Sequence, residues 1–269
     1  MSGTHETSAQ LIGTGRLTVI GLGPGDARYL TPAAQAVLDE ATDIIGYFPY
    51  VARVPERPGL RRHGSDNRVE LDRSRHALEL AAGGASVAVV SGGDPGVFAM
   101  AAAIFEALEQ GPDHWREIPI TVEPGITAML AAAARAGAPL GGDFCTMSLS
   151  DNLKPWALVE KRLRAALEAD FAIALYNPVS KARPHQLDLA FDIARTIRGP
   201  HTPVLLARAV GRPDESLRVV ALADVRGEMA DMSTLVLIGA STTRLIPRPD
   251  GGSYLYTPRF HAGLESTGK

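Results

Sequence analysis

The sequence predicts an α/β protein of two α/β domains, with a mostly parallel N-terminal sheet, a mixed C-terminal sheet and a ligand cleft between the domains. Three observations carry this. Short β-branched runs alternate with alanine-rich helical stretches along most of the chain, the pattern of a sheet with helical crossovers. A turn-rich segment at 136–143, AGAPLGGD, separates two such series. The last three predicted strands have no long helix between them, so that part of the sheet is expected to be mixed or antiparallel. The 269 residues suffice for two ordinary domains of roughly 100–200 residues or one large one. The expected divisions are a flexible tail at 1–15, an N-terminal domain at 16–138, a C-terminal domain at 139–246 and a second flexible tail at 247–269. Both tails are rich in Gly, Ser, Thr and Pro.

In the first series, strands are expected at 17–21, 43–46, 86–90 and 118–122, and helices at 32–41, 71–82, 97–110 and 126–136. Thr31 before Pro32 is a start signal, a capping hydroxyl followed by a proline at the first helical position. In the second series, strands are expected at 144–149, 171–176, 204–209, 217–221 and 233–239, with helices at 155–169 and 183–198.

Composition removes several classes of function. Hydrophobic residues make up 45% and charged residues 21%, so disorder is not the main state. Lys and Arg number 27 against 30 Asp and Glu, a net charge of −3, which argues against general nucleic-acid binding. The single cysteine, Cys145, allows no internal disulfide and has no protease-like surroundings. The first ten residues are polar, and no apolar run approaches the ~18 residues of a membrane span. The expectation is a soluble, cytoplasmic protein with no membrane or nucleic-acid partner. The histidines at 5, 63, 76, 114, 185, 201 and 261 show no HxxxH or HExxH spacing, so no metal site is expected. No GxSxG elbow is present.

Glycine-bearing motifs follow three strands of the first series. GLGPGD at 21–26 can turn sharply and leave backbone amides open. It fails the dinucleotide fingerprint, because Asp26 holds the third glycine position and the helix opens only at Thr31 and Pro32. SGGDPGVF at 91–98 and EPGITA at 123–128 also sit where a strand gives way to a helix. Each alone is equally a structural turn, with Asp94 or Thr127 as a helix cap. Their weight lies in the sum, since three such loops fall on the same edge of one sheet, where open α/β sheets bind ligands. In the second series, ALYNP at 174–178 and ARAVGRPDE at 207–215 follow strands. Asn177 is a ligand contact or a turn residue before Pro178. Arg208 and Arg212 are carboxylate grips or solvated surface arginines. The segment 46–64 sets Arg53, Arg57, Arg61 and Arg62 beside Tyr47, Phe48 and Tyr50. Aromatics beside arginines suit a flat ligand bearing carboxylates; an exposed basic loop is the plain alternative, and RNA stacking a third.

Taken in order, these motifs resemble the tetrapyrrole methylase family, the class III methyltransferases that use S-adenosyl-L-methionine. The resemblance runs from about residue 17 to 239. Within the family it is closest to the branch that methylates C-17 of precorrin-3B, through IGYFPYV at 45–51, VAVVSGGDPGVFAMA at 87–101, DFCTMSLSDNLKPW at 143–156 and DFAIALYNPVSKARPHQL at 170–187. Members usually follow SLSD with leucine, threonine, proline and tryptophan; here the residues are Asn152, Leu153, Lys154, Pro155 and Trp156. Phe48 departs from the aspartate of the uroporphyrinogen branch.

The resemblance implies S-adenosyl-L-methionine folded in the cleft and leaving as S-adenosyl-L-homocysteine. Its contacts would be Pro24, Gly92, Gly93, Asp94, Val97, Thr127 and Ala128, with Asn177, Ala209, Val210 and Gly211 from the second domain. It implies a homodimer and the conversion of precorrin-3B to precorrin-4 in cobalamin biosynthesis, with C-17 methylation and ring contraction. Contraction moves a proton, and Tyr47, Tyr50, Glu123 and His185 are the candidates. Arg53, Arg61, Arg208 and Arg212 are the candidates for the substrate's carboxylates. A cobalt-bound substrate, another tetrapyrrole, or RNA or protein remain alternatives, as do a non-enzymatic tetrapyrrole carrier and a nicotinamide dehydrogenase.

Overall fold

The run RLTVIG forms the first strand, β1 (Arg16–Gly21), of a computed structural model that describes residues 15–66 and 69–260. Of these, 15–23 and 27–126 make one compact unit, and 24–26 with 127–260 make a second.

The first unit continues through α1 (Pro32–Glu40), β2 (Asp43–Tyr47), α2 (Phe48–Val51), β3 (Arg61–Ser65), α3 (Glu70–Ala82), β4 (Ser86–Ser91), α4 (Met100–Gln110) and β5 (Ile120–Glu123). Its sheet has the order β3-β2-β4-β1-β5, with every pairing parallel. Alternation along the strands feeds two cores. Leu17, Val19, Ile45, Val87 and Val89 pack with Leu78 of α3 and Ile104 of α4. Ile20, Ile44, Ala88 and Val90 pack with Ala34 and Leu38 of α1. Both faces are covered, as a parallel sheet requires. Helix α1 begins as its sequence signal demands, with Pro32 in its first turn and the Ala34 amide donating to Thr31 Oγ1 at 3.1 Å. From β1 the chain crosses to one side of the sheet, and from β4 it crosses to the other. The adjacent ends of β1 and β4 are therefore the reversal point where open sheets take ligands.

The second unit contains α5 (Ala128–Ala136), β6 (Gly137–Ala138), β7 (Phe144–Ser148), α6 (Trp156–Glu168), β8 (Ala172–Tyr176), α7 (Gln186–Arg195), β9 (Pro203–Arg208), β10 (Ser216–Ala221), β11 (Thr234–Ile238), β12 (Arg244–Pro247) and β13 (Ser253–Tyr256). The order β10-β9-β11-β8-β7 is mixed, with only β7 and β8 parallel. Leu163, Leu167, Leu187 and Phe191 of α6 and α7 cover one face. Met129, Ala132 and Ala136 of α5 cover the other.

The predicted fold class, with its parallel and mixed sheets, is the observed one. Several boundaries move. The chain passes between units at Ile126 and Thr127 rather than at 138 and 139, because the apolar side of α5 packs on Leu205, Ala207, Leu235 and Leu237. The tail expected from 247 instead carries β13, which pairs with β12 and β6 and buries Leu255 completely. The AGAPLGGD segment is thus the seat of a returning strand. The rest of that tail, 261–269, and the tail expected before residue 15 lie outside the described residues. Helix α4 begins at Met100 rather than 97, because Phe98 sits at φ 52°, outside helical geometry. Helix α7 is shorter than expected at both ends.

Candidate functional site

Three loops meet at the carboxyl ends of β4, β1 and β5 in the first unit. Gly23 and Gly93 exchange backbone hydrogen bonds of 3.1 and 2.9 Å. Gly21 lies so close to its neighbours that a Cβ there would stand 2.5 Å from Gly93 O and 2.7 Å from Gly125 Cα. Any larger residue would part the loops. Asp94 stitches them, its carboxylate accepting from the Gly96 amide at 2.8 Å and the Gly125 amide at 3.0 Å. It does not cap α4, the alternative raised by the sequence. The ring of Tyr50 lies on Gly92, where a Cβ would come within 2.7 Å of it. Tyr50 also meets Tyr47 edge to face, ring centres 5.5 Å apart. Val97 is half-buried in the same loop, and Glu123 is half-buried at the end of β5.

In the second unit the loops at strand ends are held by side chains. Tyr176, the last residue of β8, accepts from the Met129 amide at 2.9 Å and bonds to Thr127 Oγ1. Its hydroxyl does the work of a helix cap for α5, beside Thr127 and Ala128. Asn177 follows at φ 51° and donates to Ser148 Oγ at 2.9 Å. Ala209 follows β9 at φ 50°, and its amide donates to Ser233 O at 3.0 Å. Val210 is buried. Gly211 donates to Glu215 Oε2 at 2.7 Å, and Glu215 pairs with Arg135 at 3.0 Å. Pro24 lies against Gly211, 3.2 Å from where a Cβ would stand. Residues 24 and 211, singled out separately by motif, are neighbours. His185 is exposed at the start of α7, in the unit that does not hold the other three proton-transfer candidates.

The arginines are placed differently from the sequence expectation. Arg53 donates to Leu22 O at 2.6 Å and Gly23 O at 3.2 Å, bracing the first glycine loop. Arg57 caps the end of α1 through Leu38 O and Ala41 O. Arg61 grips Asp43 with two bonds of 2.8 and 2.7 Å. Both residues stand at the amino ends of β3 and β2, the edge opposite the three loops. Arg62 reaches Glu56 and Val51 O. Arg208 pairs with Asp231 at 2.7 Å and Asp214 at 2.8 Å. Arg212 is exposed, and no side-chain hydrogen bond holds it among the described residues. Each of the four arginines at 53, 57, 61 and 62 has a partner within its own unit.

Electrostatics sort the remaining groups. Burial pushes the Cys145 thiol above its usual range, so it stays protonated and unreactive. Burial pulls Lys154 below its usual range, helped by Arg162 and Arg183. Arg183, buried, donates to Leu149 O at 3.3 Å and Asn177 O at 3.2 Å, bracing the 149–154 loop against the end of β8. Sequence reasoning missed Tyr176, Ser148, Arg183 and the Arg135–Glu215 pair. Tyr176 stands inside ALYNP, next to Asn177; the others carry no local signal in sequence. The loops of each unit, taken separately, offer backbone N–H and C=O groups and hydroxyls, and the second unit adds the Asn177 amide. That set suits a polar ligand recognised by shape and hydrogen bonding.

The family model of the tetrapyrrole (corrin/porphyrin) methylases matches residues 16–226. A precorrin-3B C(17)-methyltransferase from Sinorhizobium sp is 53% identical over 250 residues, covering 93% of this chain and 98% of that protein. The crystal structure of the methyltransferase CobJ superposes with a TM-score of 0.87 at 57% identity, over 91% of this chain and all (100%) of the other. Uroporphyrin-III C-methyl transferase from Thermus thermophilus, solved in complex with S-adenosyl homocysteine, shares the fold at a TM-score of 0.64 and 23% identity, over 84% and 97%. The loops at 21–26, 91–98 and 123–128 fall within the matched span, and the chain belongs to the tetrapyrrole (corrin/porphyrin) methylases.

Proposed function

We propose that this chain transfers a methyl group from S-adenosyl-L-methionine to C-17 of precorrin-3B and contracts the ring to precorrin-4, in cobalamin biosynthesis. One observation carries the reading: the 53% identity to a precorrin-3B C(17)-methyltransferase, spanning 98% of that protein. The site's chemistry supports the cofactor. Its adenine, ribose and amino-acid groups call for directional hydrogen bonds rather than charge, and the strand-end loops supply those. When bound, the cofactor supplies the electrophilic methyl group.

The chain's own part is to hold and to exclude. Gly92, Gly93, Asp94 and Val97 form a rigid wall, locked by the Gly23–Gly93 bridge and the Asp94 stitches. Thr127, Ala128, Asn177 and the 209–211 turn, with Pro24, complete the proposed contacts. Such positioning is worth much of a barrier in an in-line displacement, since misplacement by about 1 Å costs on the order of 100-fold. For the proton of ring contraction we favour Tyr50, whose phenol lies on Gly92 at the loop cluster. Glu123 stands at the next strand end. His185 is exposed on the other unit and has less to recommend it. Arg212 is the favoured carboxylate contact, because Arg53, Arg61 and Arg208 are committed elsewhere. No helix among the described residues is long and apolar enough to cross a membrane. A cytoplasmic homodimer completes the proposal.

Incubation with S-adenosyl-L-methionine and precorrin-3B, followed by mass spectrometry, tests it. One added methyl group and a ring-contracted product are expected with the metal-free substrate. Turnover of the cobalt-bound substrate alone would move the chain to the cobalt branch of the family, and turnover of neither would overturn the reading.

A further inference from the structure

Arg73 lies on α3 with 4% of its surface exposed. Its Nε donates to Ser65 Oγ at 2.8 Å, one terminal nitrogen donates to Asp66 O at 2.5 Å, and the other faces Met100 Sδ at 3.2 Å. No carboxylate pairs with it among the described residues. Burial pulls it below the usual arginine range, and the carboxylates of Glu70 and Asp66 oppose this only through space. A guanidinium remains charged in such a place. Buried charges are ordinarily paired, so a lone one is a cost that a neutral side chain would avoid.

Its neighbours define where the charge stands. Ser65 ends β3, and Asp66 follows it. Met100 opens α4 after the 91–99 loop, and its amide approaches Ser91 Oγ at 3.4 Å. Tyr50 belongs to α2, which follows β2. Arg73 thus sits among the elements that leave the carboxyl ends of three adjacent strands, the edge that bears the glycine loops. A fixed cation in a low-dielectric setting acts over several ångströms with little screening.

We propose that Arg73 is a positioning residue, a permanent counter-charge at the carboxyl edge of the sheet whose field steadies the negative charge that develops on the tetrapyrrole, without touching it. This rests on the proposed function, in which a proton must leave a substrate oxygen during ring contraction. The competing role is a strut that joins β3 to α4 by hydrogen bonding alone.

Charge and hydrogen bonding are separated by two substitutions. Arg73→Gln keeps donors and loses the charge; Arg73→Lys keeps the charge and loses the fork. Turnover of precorrin-3B is measured with each, together with S-adenosylhomocysteine affinity and Tm. The expected result for Arg73→Gln is a kcat lower by about 100-fold, the scale of a lost transition-state charge partner, with cofactor affinity within about twofold and Tm unchanged or raised. Arg73→Lys should stay within about fivefold of the parent in kcat, because the charge persists. A lysine variant as slow as the glutamine variant, or both as fast as the parent, overturns the proposal. A joint fall of kcat, affinity and Tm in both establishes the strut instead. Should Arg73→Gln not fold, Arg73→Met takes its place as the neutral variant and is read in the same sense. A parent chain that binds S-adenosylhomocysteine but leaves precorrin-3B unchanged overturns the reading of function and this inference with it. A working parent with indifferent variants overturns the inference only.

Discussion

The two units shape their strand-end loops by opposite means. The first uses absence: glycines at 21, 93 and 125 let three backbones touch, and Gly92 makes room for the Tyr50 ring. The second uses presence: Asn177 and Ala209 hold left-handed conformations against their intrinsic preference, and Ser148, Ser233 and Tyr176 pin the segments in place. Close approach specifies geometry through sterics, whereas a strained residue specifies it only while its partners hold. The first arrangement should fail abruptly under substitution, the second by degrees.

The largest effect is expected at Gly93, which has φ 67° and bridges Gly23. Gly93→Leu should weaken S-adenosylhomocysteine binding by about 100-fold or more in calorimetry, since strain of ~3 kcal/mol or a displaced loop is at stake. Unchanged affinity would remove the steric side of the comparison. Next comes Tyr176→Phe, which leaves the Met129 amide without its acceptor. An unmade hydrogen bond of this kind costs ~1–3 kcal/mol, so a loss of about tenfold in cofactor affinity is expected with the fold intact. An affinity equal to the parent's would show that the cap is incidental to binding.

Ala209→Gly should act in the other direction. A non-glycine residue at φ 50° costs ~1–2 kcal/mol, of which glycine's added chain entropy takes back ~0.5–1 kcal/mol. Tm should hold or rise by about 2–4 °C, and a fall of that size would show that Ala209 is not strained. The smallest effect belongs to Asp43, far from the loops. Burial alone would raise its pKa, but hydrogen bonds from Arg61, His63 and Thr42 outweigh this and hold it below the usual carboxylate value. With the folded value below the unfolded one, near 3.9, the contribution is present above that pH and is lost as pH falls through the folded value. Arg61→Gln should therefore flatten the acid side of the stability profile and leave cofactor binding at neutral pH unchanged. Weaker cofactor or tetrapyrrole binding in that variant would restore Arg61 to the ligand site.

Legibility in the sequence follows the same division. Glycines and β-branched runs announce the first unit's loops and central strands, because sterics and alternation act over a few residues. Strand β3 was missed because RRHGS holds no apolar residue; it is an edge strand fixed by Asp43 and the register with β2. Strand β13 was missed because one buried residue, Leu255, gives it a core contact, and Gly251 and Gly252 disguise it as tail. The partners of the arginines at 53–62 are not legible, because sequence shows charge but not partner, and those partners are mostly backbone carbonyls. Tyr176 acts on Met129, 47 positions away, and Arg73 reaches Met100, 27 positions away, distances in sequence that no local pattern encodes.

The central proposal is that the glycine-shaped loops of the first unit and the pinned loops of the second each contact the cofactor. Backbone hydrogen exchange with and without S-adenosylhomocysteine tests it most directly. The account predicts that protection on binding concentrates at 92–97, 127–129, 176–178 and 209–211 and leaves the Asp43–Arg61 edge unaltered. Protection centred on 43–66, with the strand-end loops exchanging as freely as before, would contradict it.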